Sequence, residues 1–440
     1  MKKVIFSIFV LLFFGFGFKN KIMAFCGFYV AKADATLYNK ASRVVLVHND
    51  NKMVISMMND YEGDLKNFAL VVPVPVVLEK DQIHVGDSKI IDHLDSYSAP
   101  RLVEYFDEDP CAPPVEYEKN DDIRKSAEGN VPSSNINRMK DLGVKVEASY
   151  TIGEYDIQIL SAKYSDGLET WLIQNGYKIP KGASEALQPY VKQKLKFFVA
   201  KVNLKKLESG LTYLRPLQFA YESPKFMLPI RLGMINSKGD QELLLFVISM
   251  TGRVETVNYR TVKLPSDIYV PGFVKQEFAD FYKDMFSEQV RKENKKVVFT
   301  EYFWNMSWCD PCSAEPLSSD ELKSLGVFWL NNGNNQVMLT RLHIRYNKDT
   351  FPEDLSFQET SDQSNFQGRY IIQNPWKGSP DACGAAKEYF KNLKQRQEEE
   401  AKNFAMLTGK DINQIRQKMK LGNDNKENTN EEKKWWKKIW

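Results

Sequence analysis

The feature that most constrains this chain is an uncharged, largely apolar run at its N-terminus, Val4 to Phe18, which follows Lys2 and Lys3. The run is shorter than the ~20 apolar residues that a membrane-spanning helix needs. A basic start, a short apolar core and then a small residue, here Ala24, are typical of a secretory signal peptide. We therefore expect residues 1–24 to be removed on export to the periplasm, the cell surface or the medium. An uncleaved N-terminal anchor is the alternative.

Export also changes the charge of the working protein. The full sequence of 440 residues has a formal net charge of +3. Residues 1–24 contain four lysines and no acidic residue, so the mature chain carries −1. No net basic field remains to attract nucleic acid, and we predict no nucleic-acid partner. With 43% hydrophobic and 27% charged residues, the composition is that of a globular protein, which excludes a chain that is disordered throughout.

Short apolar runs separated by turn residues indicate a β-rich protein. Val44 to Val47 and Met53 to Met58 flank a polar turn, which predicts a hairpin. Helical patterns follow at Lys275 to Glu293 and from Gly384 to Lys420, the latter divided by Gly409 into a long and a short helix. The predicted fold is therefore α+β, with β-rich sandwich-like segments, short helices and a C-terminal helical region.

Shifts in composition divide the chain into seven segments. A polar stretch rich in Asn, with Gly and Pro, follows the first β-rich segment and is predicted to be a linker or loop. The predicted segments are 1–24, signal peptide; 25–115, β-rich N-terminal domain; 116–141, polar linker or loop; 142–270, mixed α+β domain; 271–382, helix plus β-rich segment with a CxxC motif; 383–422, helical region; and 423–440, disordered Lys/Trp tail.

Five cysteines have to be assigned in an exported chain, where thiols tend to pair. They are Cys26, Cys111, Cys309, Cys312 and Cys383. An odd number allows at most two bridges and leaves one thiol over. A bridge between Cys26 and Cys111 would close the first β-rich segment on itself. The alternative is that Cys383 pairs with one of these two.

The sharpest local motif is Trp308-Cys309-Asp310-Pro311-Cys312, which resembles the active site of thioredoxin-like proteins. In that chemistry Cys309 would be the nucleophilic thiolate at a helix N-terminus and Cys312 the resolving thiol, with Pro352 opposite them. The favoured alternative is a structural bridge that fixes an exported loop. Zinc would need more thiol or imidazole ligands than one such pair, so we predict no metal and no cofactor.

Arg341, His343 and Arg345 alternate along a predicted strand and should therefore share one face of a sheet. One interpretation is an anion-binding stripe. The other, which we favour, is a solvated sheet face on which these side chains pair with acidic neighbours across the strands.

The chain ends in a cluster of lysines and tryptophans. Lysines attract anionic head groups, and tryptophans settle at the water–lipid interface. The cluster therefore predicts contact with a membrane surface or an envelope protein through Trp435, Trp436 and Trp440. The alternative is an exposed, unstructured end without a binding role.

Several short blocks are scattered over most of the mature chain: Cys26 to Ala31, Phe68 to Pro75, Ser98 to Tyr105, Cys309 to Cys312, Thr340 to His343 and Phe366 to Tyr370. Together they resemble a bacterial exported family known as domain of unknown function 2330. The resemblance implies export and assigns no activity, so no catalytic residue is carried over. Our leading hypothesis is a non-enzymatic binding or scaffold protein with structural disulfides. The alternative is a thiol–disulfide oxidoreductase that uses Cys309 and Cys312.

Overall fold

A computed structural model describes residues 28–31, 38–62, 68–112, 144–175, 177, 182–203, 214–236, 239–310, 312 and 314–421. Helices and strands alternate irregularly along this part of the chain, and the sheets are antiparallel or mixed apart from one small parallel sheet. The predicted α+β, β-rich class is confirmed. The predicted signal segment, the predicted polar linker, the predicted Lys/Trp tail and Cys26 lie outside the described residues.

The strands are β1 Phe28–Ala31, β2 Tyr38–Asn49, β3 Lys52–Glu62, β4 Phe68–Val74, β5 Ile83–Val85, β6 Arg101–Phe106, β7 Val144–Ile152, β8 Tyr155–Ala162, β9 Lys196–Val202, β10 Leu217–Glu222, β11 Met227–Leu228, β12 Gln241–Ser249, β13 Val254–Thr256, β14 Arg260–Lys263, β15 Ile268–Tyr269, β16 Val297–Asn305, β17 Met338–Tyr346, β18 Leu355–Glu359, β19 Phe366–Gln367 and β20 Arg369–Asn374. The α-helices are α1 Ser88–Ser98, α2 Ser165–Gln174, α3 Ala183–Lys192, α4 Phe278–Lys292, α5 Ser319–Ser324, α6 Gly384–Thr408 and α7 Ile412–Lys418.

A nine-stranded mixed sheet forms the centre of the molecule, in the order β14-β16-β17-β12-β2-β3-β10-β5 with β19 paired to β16. The predicted hairpin is confirmed as β2 and β3, and Asp50 at its turn has φ +55°, which Asp tolerates better than most residues. The sheet combines strands from the predicted segments 25–115, 142–270 and 271–382. Those segment boundaries therefore fall between strands of one sheet.

The two faces of this sheet pack against different partners. One face shares a hydrophobic core with a five-stranded sheet, β1-β4-β9-β8-β7, through residues such as Leu46 and Phe198. The opposite face is covered at one end by α1 and the segment after β16, around Tyr302, and at the other end by α4 and α6, around Phe286. The buried charged side chains and the CxxC pair described below lie on this second face.

The two predicted helical regions, Lys275 to Glu293 and Gly384 to Lys420, are confirmed. α4 covers the expected Lys275 to Glu293 region, and α6 and α7 are divided at Gly409, whose φ of +70° ends α6 in the left-handed conformation. α6 packs on a three-stranded parallel sheet, β15-β20-β6, and on α4 through aromatic contacts between Phe281, Tyr370 and Phe404.

Candidate functional site

The CxxC motif lies in the loop that follows β16 at the rim of the central sheet. Met306 donates its backbone N–H to Val337, 2.8 Å away, and Ser307 donates to the side chain of Asn305, so the start of the loop is tied to the sheet. Cys309 and Cys312 form a disulfide with a Cα–Cα distance of 5.2 Å. Cys309 is half-buried and Cys312 is exposed. This pair is a bridge at the surface.

The cysteine pair does not have the thioredoxin-like geometry that we expected of a redox-active CxxC motif. The next helix, α5, begins only after Ser318, which caps it in a reciprocal capping box with Glu321. Neither cysteine therefore lies at a helix N-terminus, where a thiolate would be stabilised. Pro352 does not face the pair, because the adjoining Phe351 packs in the core on the opposite face of the sheet from Cys309.

The Arg341, His343 and Arg345 stripe does meet acidic neighbours, but Arg341 and His343 are buried rather than solvated. Their side chains and Glu301 lie between the two hydrophobic clusters on the second face of the sheet. Carboxylates already pair with all three basic side chains. This arrangement supports the favoured interpretation, in which the stripe pairs with acidic neighbours, over that of an anion-binding stripe.

Glu301 is the centre of this arrangement and is completely buried. Its carboxylate accepts a hydrogen bond from Nε of Arg341 at 2.6 Å, lies 2.6 Å from Nδ1 of His343 and accepts from the hydroxyl of Tyr282. Burial alone would raise the pKa of Glu301, but the adjacent His343 and Arg341 lower it to about 2. The Phe286 ring stacks on His343 with 3.6 Å between the ring centroids.

The network of ion pairs extends in both directions from Glu301. At one end Arg341 binds the side chain and the main-chain carbonyl of Asp95 on α1, and at the other end Glu242 pairs with Arg345. With His343 protonated, four basic and four acidic side chains alternate and their net charge is zero. We call this set the charge ladder: Asp92, Arg43, Asp95, Arg341, Glu301, His343, Glu242 and Arg345.

The charge ladder also shifts the pKa values of Glu242 and His343. Burial would raise the pKa of Glu242, but His343 and Arg345 lower it to about 2. Burial would lower the pKa of His343, but Glu301 and Glu242 outweigh it and raise that pKa above its usual value. Glu301 and Glu242 are therefore ionised near neutral pH, and their charges favour the protonated form of His343. The geometry of the ladder is that of a structural network, because each charged group faces another.

A second buried arginine lies beside the ladder and beneath the CxxC loop. Arg101, at the start of β6, is 5% exposed, and its Nη2 donates to the main-chain carbonyl of Tyr97 near the end of α1. The guanidinium also lies 5.7 Å from the ring centroid of Tyr302. In the described part of the chain no carboxylate pairs with it, and burial lowers its pKa. Sequence reasoning missed this residue, although it lies in the block Ser98 to Tyr105.

The long-range disulfide joins Cys111 to Cys383, 272 residues apart, with a Cα–Cα distance of 6.1 Å. The predicted bridge between Cys26 and Cys111 is therefore wrong, and the alternative that Cys383 takes one of these two partners is the one observed. The physical reason is that β6 runs parallel to β20, so both strands end at the same edge, and α6 begins there.

The comparison with known proteins bears on residues 21–358, which match the family described as uncharacterized protein conserved in bacteria, DUF2330. The chain belongs to this family. The match includes the charge ladder and the CxxC loop and ends before β19, β20, α6 and α7. No curated protein and no solved structure matches the chain.

Two further observations concern the predicted membrane contact and metal chemistry. Among the described residues, no helix has the length and apolar character required to cross a bilayer. In the same residues, His, Cys, Asp and Glu side chains nowhere gather in threes as they would around a metal ion. Trp435, Trp436 and Trp440, through which a membrane or partner contact was predicted, lie outside the described part of the chain.

Proposed function

We propose that this protein is exported to the periplasm, the cell surface or the medium and acts there as a binding or scaffold protein. The observation that carries the proposal is the bridge between Cys111 and Cys383. Disulfides form and persist in oxidising compartments and are rare in the cytosol. A bridge that closes so long a stretch of chain is expected to stabilise the fold by roughly 2–4 kcal/mol or more.

The position of this bridge supports a scaffold role. It attaches the start of α6 to the end of β6, and next to it Asp107 accepts hydrogen bonds from Arg396 and Tyr389 of the same helix. Phe404, further along α6, packs on Phe281. The bridge and these contacts hold the C-terminal helices on the family-matched part of the molecule.

Counting thiols in fractionated cells tests this proposal. The full chain is expressed in a bacterium, and each fraction is treated with a maleimide-linked polyethylene glycol before and after reduction. We expect the protein in the exported fraction with one reactive thiol, Cys26, before reduction and five after it. Recovery in the cytosol with all five thiols reactive would contradict the proposal.

A single substitution verifies the pairing itself. In Cys383→Ser the partner thiol of Cys111 is released, so two thiols should react before reduction, while the Cys309–Cys312 bridge stays unreactive. If Cys383→Ser still presented one reactive thiol, Cys111 would have another partner.

A thiol–disulfide oxidoreductase is the second candidate, favoured by the surface position of the bridged CxxC pair and by Trp308, which is 50% exposed beside it. After reduction, the Cys309 thiolate would attack a substrate disulfide and Cys312 would resolve the mixed disulfide. The substrate would leave as a dithiol, and the CxxC pair would return to the oxidised form. Insulin reduction in the presence of dithiothreitol, with Cys309→Ser beside the wild type, tests this. Equal rates would reject the oxidoreductase.

A further inference from the structure

Hydrogen-bonding groups without partners are concentrated beneath the CxxC loop. Buried polar atoms in proteins nearly always find a partner, because one left without a hydrogen bond destabilises the folded state. The described part of the chain contains eight buried side-chain nitrogen or oxygen atoms that make no hydrogen bond of normal geometry. Five of them belong to four side chains in this region, which we call the orphan cluster: Arg101 Nε and Nη1, Tyr302 hydroxyl, Trp304 Nε1 and Gln367 Oε1.

These four side chains are neighbours. The Arg101 guanidinium lies 5.7 Å from the Tyr302 ring, and Tyr302 is paired across the strands with Gln367. Trp304 follows two residues later on the same face of β16, and its ring centroid is 6.2 Å from that of Tyr302. Burial raises the pKa of Tyr302, and Tyr97 raises it further through its charge and a side-chain hydrogen bond, although the Tyr302 hydroxyl lacks a hydrogen bond of normal geometry.

The CxxC loop forms the outer wall of the orphan cluster. Gln367 donates from Nε2 to the main-chain carbonyl of Asp310 at 2.9 Å, and Trp308 makes an edge contact with Trp304 at 4.8 Å. The Cys309–Cys312 bridge closes the same loop. A ligand in contact with the orphan cluster would therefore lie between the strands and a disulfide-closed surface loop.

Charge determines what kind of ligand fits. Arg101 carries a buried positive charge without a carboxylate partner, whereas Arg341 nearby has both Glu301 and Asp95. The carbonyl end of α1 and the Tyr302 ring offset part of this charge, but they leave the Nε and Nη1 donors unbonded. Gln367 Oε1 is an acceptor and would not contact an anion. One cation beside a neutral donor, the indole of Trp304, matches a single negative charge better than two.

We propose that the orphan cluster binds a small monoanion of the carboxylate class, held by Arg101 with the help of Trp304 under the CxxC loop. This inference deepens the binding role proposed above and rests on it. The carboxylate would accept from the guanidinium N–H groups and the indole N–H, and so fill donors that are otherwise unpaired.

The test is thermal unfolding of the mature full-length protein in a zwitterionic, chloride-free buffer, titrated with sodium acetate and, separately, with sodium chloride. A ligand that binds the folded state raises the unfolding midpoint in a saturable manner. We expect such a rise with acetate and a smaller, non-saturating one with chloride. Equal responses to the two salts would overturn the proposal.

Arg101→Met should abolish the acetate-specific rise. The matched control is Arg369→Met, because Arg369 is the partner of Arg101 across the β6 and β20 strands but is already paired with Asp267. Arg369→Met should keep the response. Retention of the response in Arg101→Met, or its loss in both variants, would overturn the assignment of the site.

Two measurements keep the test decisive if Arg101→Met does not fold. Trp304→Phe removes the indole donor and keeps an aromatic ring, and it should raise the acetate concentration for half-saturation several-fold. Isothermal calorimetry of wild-type protein with acetate should give a saturable heat, and its absence would overturn the proposal. Neither outcome alters thiol counts or cell fractionation, so failure here is separate from failure of the proposed export.

Discussion

Two buried arginines bind the C-terminal end of the same helix, but their electrostatic surroundings differ. Arg341 and Arg101 both donate to main-chain carbonyls at the C-terminal end of α1, those of Asp95 and Tyr97. Arg341 also has two carboxylate partners and belongs to the charge ladder, while Arg101 has none in the described part of the chain. The difference teaches that two buried arginines at one helix end can differ in their remaining hydrogen-bonding capacity. That capacity is used at Arg341 by two carboxylates, whereas two nitrogen atoms of Arg101 make no hydrogen bond.

The largest expected effect comes from removing the central charge of the ladder. Glu301→Gln leaves Arg341 and His343 buried without their shared carboxylate, and breaking a buried ion pair on one side costs about 3–5 kcal/mol. We expect a loss of that size in the free energy of unfolding, measured by urea denaturation.

The control for Glu301→Gln is Glu255→Gln. Glu255 is half-buried and pairs with Arg253 at 2.6 Å near the surface, where ion pairs contribute about 0–1 kcal/mol. If both variants lost the same stability, the ladder would not be the strong network that its burial implies.

The fold was accessible from the sequence wherever pattern and turn chemistry were local. The β2–β3 hairpin follows from two apolar runs around Asp50 and its neighbours, and the division of α6 from α7 follows from Gly409. The pairing of Cys111 with Cys383 could not be selected among the alternatives. It depends on which distant strands run side by side, and that is set by tertiary packing.

Part of the site was also predictable from the sequence. Alternation placed Arg341, His343 and Arg345 on one face, and acidic partners were expected there. The identity of Glu301 was not, because an irregularity in the pairing between Thr300 and Tyr302 separates it from simple alternation along β16. Arg101 was missed for a different reason. The absence of a partner is a property of the packed structure and leaves no pattern in the sequence.

The charge ladder should also make the stability depend on pH. The raised pKa of His343 gives stability that is fully present below the unfolded value of about 6.5 and is lost as pH rises through the folded pKa. On the acid side, the pKa values of Glu301 and Glu242 are lowered to about 2, so their contribution is present above about pH 4.5 and is lost as pH falls towards 2. Unfolding free energies measured from pH 3 to 9 should therefore be highest between these limits.

Replacing the histidine isolates its share of this profile. His343→Gln should flatten the decline above about pH 6.5, whose slope for one proton is at most about 1.4 kcal/mol per pH unit. His84→Asn, at an exposed histidine, should leave the decline in place. An unchanged alkaline limb in His343→Gln would mean that another group in the chain titrates there.

The smallest effect is expected at the orphan cluster, and its size decides whether the comparison holds. Arg101→Met removes an unpaired buried cation, which favours the folded state, and also removes the hydrogen bond to the Tyr97 carbonyl, which costs roughly 1–3 kcal/mol for an acceptor left unbonded. The two contributions oppose each other, so in carboxylate-free buffer the free energy of unfolding should change by no more than about 1 kcal/mol. A loss as large as that of Glu301→Gln, measured by the same urea denaturation, would place Arg101 in a satisfied network like that of Arg341 and remove the reason for a ligand there.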